Sequence, residues 1–252
     1  QTIFPFFLFF FVLLFWTWYH DRLNVAEKYA PLFLGVFAGA ATYLHTFLFQ
    51  VIGASLFAGI ILAFALRRMR LVRSLATSVF VMIALATPYF VYMYGLSDFP
   101  AFADTMNLFS GVRSHFPSPL VYFYGRWPVL LFVWSVLLWF TYRRTEQRAK
   151  LVAGEKAEPI TEDIVLTIAA LSLGALGAMV QNIITGVDIH GPGHVNYFVH
   201  ILLPLALIFL TVPTIKILFS KRVSEMEVSS LTSPSERREK EVCRLPTKGT
   251  HI

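Results

Sequence analysis

Residues 29–66 read YAPLFLGVFAGAATYLHTFLFQVIGASLFAGIILAFAL, without a single Asp, Glu, Lys or Arg. A surface helix of a soluble protein keeps one polar face, and this run leaves none. It is also too long for one perpendicular crossing, since about 20 residues span roughly 30 Å of hydrocarbon. The run is therefore expected to form two short helices with a break near Thr42 to Gln50, where the polar His45 and Gln50 serve backbone groups that the break leaves open.

Working outward, five more charge-free stretches follow the same logic. Residues 3–19 are rich in phenylalanine and close with Trp16, Trp18 and Tyr19, as in an aromatic belt at a membrane interface. Residues 74–94 carry Pro88 as an expected kink. Residues 128–142 and 164–185 come next, and Gly174 and Gly177 in the latter allow close helix packing. Residues 195–215 complete the set, with kinks expected at Pro204 and Pro213. The whole chain is 56% hydrophobic and 14% charged, with a mean hydropathy of +0.64, which excludes an ordinary soluble globular protein. The expected fold is all-α: a polytopic transmembrane helical bundle of about six to seven spans over residues 1–219, then a disordered polar cytoplasmic tail over residues 220–252. Its first partner is the lipid bilayer.

The basic residues read as topology. Arg67, Arg68, Arg70 and Arg73 flank one connection, and Arg143, Arg144, Arg148, Lys150 and Lys156 occupy another, so both are expected on the cytoplasmic side. The segment 95–127 holds only Arg113 and Arg126, and 186–194 holds no Lys or Arg, so these two share the outer face. The tail opens with Lys216, Lys221 and Arg222 and is cytoplasmic by the same rule. The location implied is the cell's inner or plasma membrane. The net charge of +6 sits at span ends rather than on a patch interleaved with aromatics, which argues against nucleic acid. Cys243 is the lone cysteine, so no disulfide forms within the chain. The chain opens on Gln1 with no basic region ahead of its first apolar run, and it reads as the C-terminal part of a longer membrane protein.

The chemistry-bearing residues concentrate in His190-Gly-Pro-Gly-His-Val-Asn-Tyr-Phe-Val-His200, between two apolar spans. His190 and His194 stand at a spacing that would share a helix face and clamp a metal, but Gly191-Pro192-Gly193 opposes a helix and Asp188 is the only carboxylate nearby. No metal and no cofactor are assigned. Two readings stay open. In one, His190, His194, Asn196 and Tyr197 form a polar rim that holds a phosphate or a sugar hydroxyl. In the other, the Gly-Pro-Gly only turns the chain, with the ring side chains at headgroup level. Gln181, Asn182 and Thr185 end the preceding span, where polar groups most commonly bond across helices. The outer segment carries Asp98, Asp104, Arg113, His115 and the run Phe116-Pro-Ser-Pro-Leu-Val-Tyr-Phe-Tyr124, which suits an interfacial cap where Arg113 meets a lipid phosphate. There is no phosphate-cradling glycine loop, no His-Glu-x-x-His and no nucleophile elbow.

The run Gln181-Asn-Ile-Ile-Thr-Gly186, followed by His190, Gly193-His194 and Tyr197, resembles the late transmembrane region of bacterial membrane proteins of the GT-C glycosyltransferase type. The broken stretch around Thr42 to Gln50 and the Pro88-Tyr89 span ahead of an aromatic segment are similar in outline. The resemblance implies inverting transfer of a sugar from a polyprenyl-phosphate carrier at an outward-facing site. His190, His194 and Tyr197 would then line the donor-phosphate end, with Arg113 and His115 as further contributors, stabilising charge on the leaving phosphate. The catalytic acid of such enzymes lies in an early outer loop, so no catalytic residue is assigned, neither Asp98 nor Asp104 being placed in that role. Other readings stay beside it. A transporter or permease would show paired broken helices, and only one broken stretch is evident. A haem-binding cytochrome would need His45 and His200 at matching depths, which they lack. A noncatalytic assembly subunit is compatible with every feature above.

Overall fold

The computed structural model describes residues 3–23, 29–44, 46–96, 99–100, 125–153, 159–180, 199–212 and 214–215. The regular structure among them is entirely helical: α1 (Ile3–Leu23), α2 (Tyr29–Leu44), α3 (Thr46–Ala65), α4 (Met69–Leu96), α5 (Arg126–Ala153), α6 (Pro159–Met179) and α7 (Val199–Val212). The stretch 29–66 is divided as its length demands, α2 ending at Leu44 and α3 beginning at Thr46. Leu48–Ala65 of α3, all of α4, and Glu162–Met179 of α6 are long and apolar enough to cross a membrane. The apolar α2 and α7 are shorter. Residues Gln1–Thr211 form one compact unit; a second, Val212–Ile252, is described only at 212, 214 and 215, so the expected tail lies outside the described residues.

Exposure inverts the pattern of a soluble protein. Phe57, Ile61 and Phe64 project from one stripe of α3 and Phe80, Ile83 and Val91 from α4, all more than half exposed. A surface of large apolar side chains in helical register is stable against lipid tails, not against water. Inside the bundle, small residues set the spacing. A Cβ on Gly35 of α2 would lie 2.6 Å from the Ser78 carbonyl oxygen of α4, and one on Gly39 would lie 2.8 Å from Leu85 Cβ. The Ser78 hydroxyl ties the same pair by donating to the Pro31 carbonyl at 2.8 Å. Gly174 of α6 plays that part against Ser55 of α3, as the sequence led one to expect, whereas a Cβ on Gly177 would meet Ala54 at an ordinary 3.5 Å. The central position belongs to α6: 78% of its apolar stretch is buried, against 28% for α4. It packs on α3, α5 and α1.

The α3–α4 connection is a Schellman motif. Arg67 N–H donates to the Phe64 carbonyl and Arg68 N–H to the Ala63 carbonyl, both at 2.9 Å. The motif requires a left-handed residue, and Arg67 supplies it with φ 57°. A side chain there costs about 1–2 kcal/mol relative to glycine.

Several helices outrun the apolar stretches that foretold them. The first continues past Tyr19 to Leu23, and α4 begins at Met69 rather than Ser74, so Arg70 and Arg73 are helical. Pro88 lies within α4, which runs unbroken to Leu96. In α6 the start moves from Ile164 to Pro159 and brings Glu162 and Asp163 into the helix. Backbone hydrogen bonding favours extending a helix through flanking charges, which a count of apolar residues does not register. The aromatic belt at the end of α1 needs correction as well. Trp16 is 47% exposed, but Trp18 is fully buried.

Candidate functional site

One pole of the bundle is built from charges. Arg68, 17% exposed in the turn just ahead of α4, donates through Nε to Asp21 Oδ2 at 2.9 Å and through Nη1 to Asp163 Oδ1 at 3.0 Å. Its Nη2 donates to the Trp18 carbonyl at 2.9 Å, and the guanidinium lies 5.2 Å from the Trp18 ring. One side chain thus joins α1, the α3–α4 turn and α6. Beside it, Glu162 Oε1 accepts from both Trp139 Nε1 and Arg143 Nε at 2.9 Å, joining α5 to α6. The Arg143 guanidinium sits 5.4 Å from the Trp139 ring. Glu162 and Asp163 are 2% and 0% exposed. Their burial is tolerable for two reasons: each carboxylate has an arginine, and both lie in the opening residues of α6, where the helix dipole favours negative charge. The charge-free stretches give no expectation of a buried charge among the spans. The only signal for one was the pair Glu162-Asp163 directly ahead of an apolar run.

The opposite pole is aromatic. Tyr43 donates to the Leu85 carbonyl at 2.9 Å and meets Tyr89 edge-on, while Phe49 faces Phe90 at 5.5 Å. By their direction from the charged pole, and at 1.5 Å per residue, the end of α4 at Leu96, the start of α5 at Arg126 and the end of α6 at Met179 all lie roughly 20 Å or more from it. The candidate residues Arg113, His115, His190, His194, Asn196 and Tyr197 lie outside the described residues, as do His45, Asp98, Asp104, Gln181, Asn182, Thr185 and Pro213.

Two cavities belong to the described helices and bear on function. Between α1 and α2 a lateral groove of about 640 Å³ is walled by Phe9, Val12, Trp16, Tyr29, Phe33 and Phe37. It is lined almost wholly by carbon and suits a hydrocarbon chain. A smaller cleft of about 210 Å³ lies between α3, α5 and α6 and is lined by Leu66, Ser135, Trp139 and Leu166 among others. The Ser135 hydroxyl is buried in it with no hydrogen-bond partner among the described residues. No group of three His, Cys, Asp or Glu among the described residues is placed to hold a metal ion. Compared with protein-family models, curated proteins and solved structures, the chain matches none.

Proposed function

We propose that this chain belongs to an integral membrane protein that transfers a sugar from a polyprenyl-phosphate carrier, with its site at the aromatic pole. In this reading all seven helices lie in the bilayer, as six to seven crossings. The arginine pole faces the cytoplasm, and residues 97–124 and 181–198 face outward. The carrying observation is the shared pole of the helix ends at Leu96, Arg126 and Met179, which bracket the segments holding all six candidate residues. The hydrocarbon-lined groove between α1 and α2 supports a lipid-linked donor, because a polyprenyl chain needs a lateral apolar path. His190 and His194 would donate hydrogen bonds to the phosphate as the glycosidic bond breaks, with Tyr197, Asn196, Arg113 and His115 completing the rim.

The test is a reconstitution of the full-length protein in liposomes with a radiolabelled polyprenyl-phosphate sugar. His190→Ala and His194→Ala each lower donor binding and turnover at least tenfold if the histidines hold the phosphate. Variants that retain both activities remove the histidines from the site. A wild-type protein that neither binds nor consumes the donor leaves transport or an assembly role as the better reading.

A further inference from the structure

The cleft between α3, α5 and α6 lies toward the arginine pole, lined by Leu66 near the end of α3 and by Trp139 beside Arg143. Its walls are apolar, with Leu62 and Leu66 from α3, Val136 from α5 and Leu166 from α6. Two features of its lining are not apolar. Trp139 stands at the charged end with the Arg143 guanidinium 5.4 Å from its ring. Ser135 lies four residues deeper, roughly 6 Å along the axis, with its buried hydroxyl unpartnered. A cation above an orphan hydroxyl, over a hydrocarbon-lined recess, matches the order of groups in a glycerophospholipid: phosphate, ester oxygen, acyl chain.

The charge at this pole points the same way. Asp21, Glu162 and Asp163 are taken up by Arg68 and Arg143, leaving one carboxylate in surplus, while Arg67, Arg70, Arg73 and Arg144 add four cations. The described pole is therefore net positive, and Arg143 keeps 47% of its side chain exposed despite its bond to Glu162. Arg67 adds an independent mark. It follows cleft-lining Leu66, occupies the left-handed position that glycine fills without strain, and exposes its side chain with no hydrogen bond or ion pair among the described residues. The Schellman hydrogen bonds hold the backbone there, but a glycine would serve them without strain, and an arginine side chain with no partner among the described residues directs attention to a ligand.

We infer that this cleft binds one anionic phospholipid, with an acyl chain between α3, α5 and α6, an ester oxygen accepting from Ser135, and the phosphate held by Arg143 and Arg67. The inference needs only residence in a membrane and stands apart from the glycosyl-transfer reading. A bilayer supplies such a ligand, and an apolar recess beneath clustered arginines favours it over a neutral lipid or a free anion.

The experiment is native mass spectrometry of the full chain released from a neutral detergent, after equilibration with dioleoyl-phosphatidylglycerol or with the phosphatidylcholine of the same chains. One phosphatidylglycerol should remain bound per chain, retained at least tenfold better than phosphatidylcholine, and millimolar inorganic phosphate should not displace it. Arg67→Gly should weaken retention about fivefold, which corresponds to the roughly 1 kcal/mol that one arginine contributes against anionic lipid. The same variant should melt no lower than wild type in lipid-free detergent, since glycine relieves the left-handed position; this separates lost binding from lost folding. Ser135→Leu, which fills the cleft, should abolish retention, and a melting curve reports whether that variant is folded. Equal retention of the two lipids overturns the inference, as does full retention by Arg67→Gly. Displacement by inorganic phosphate would show an anion site without a lipid chain and overturn it too.

Discussion

Replacing Gly174 with alanine places a Cβ 2.5 Å from the Ser55 backbone nitrogen, where ordinary contact begins near 3.4 Å. The Ser55 hydroxyl and Cα lie closer still, and Ser55 is fully buried with that hydroxyl bonded to the Val51 carbonyl at 2.7 Å, so neither side chain nor main chain can swing aside. The α3 and α6 backbones must therefore part by about 0.9 Å where they cross, the difference between those two distances. A gap of that size forfeits a quarter to a half of the dispersion well for each contacting pair. Overpacking of this kind costs about 1–3 kcal/mol, and a backbone clash belongs at the upper end; the better helix propensity of alanine returns about 1 kcal/mol. The expected net loss is about 2 kcal/mol. Gly177 supplies the control, three residues along the same helix. Its Cβ would meet Ala54 at 3.5 Å, so Gly177→Ala should stabilise by about 0.5–1 kcal/mol through propensity alone. Reversible unfolding by sodium dodecyl sulfate, followed by tryptophan fluorescence in mixed micelles, reads both variants. Opposite signs support the close crossing of α3 and α6. A Gly174→Ala protein as stable as wild type would refute it.

The charged pole makes an ordered prediction. Asp163→Asn, at a fully buried carboxylate bound to Arg68, should cost about 3 kcal/mol, the lower end for a broken buried pair because Asp21 remains to hold the arginine. Asp21→Asn, at a carboxylate 10% exposed, should cost less in the same assay, and the reverse order would show that α6 is not where Arg68 is chiefly anchored. Thr42 carries a buried hydroxyl without a partner among the described residues, so Thr42→Val should raise the unfolding midpoint by the equivalent of about 1 kcal/mol; a lowered midpoint would mean that the hydroxyl has a partner.

By itself the sequence determined that the chain is helical and that its apolar residues outnumber the inward positions of any soluble bundle. Both follow from charge-free runs such as residues 29–66, whose length is a local property set against the thickness of hydrocarbon. It also located the division of that run between α2 and α3, and it marked Gly174 and Gly177 alike as packing residues, of which only Gly174 meets its neighbour too closely for a Cβ. What it could not supply was pairing between distant residues. Arg68 is one of four arginines marking a connection, yet its partner Asp163 lies 95 residues away, just ahead of the charge-free stretch that begins at Ile164. Trp18 looked like Trp16, two positions earlier, but helical rotation turns it inward beneath the guanidinium of Arg68 while Trp16 faces outward. Period and composition are summed over one segment. Which face of that segment is buried, and which charge it meets there, depends on the neighbours that the tertiary fold brings against it, and only the structure decided that.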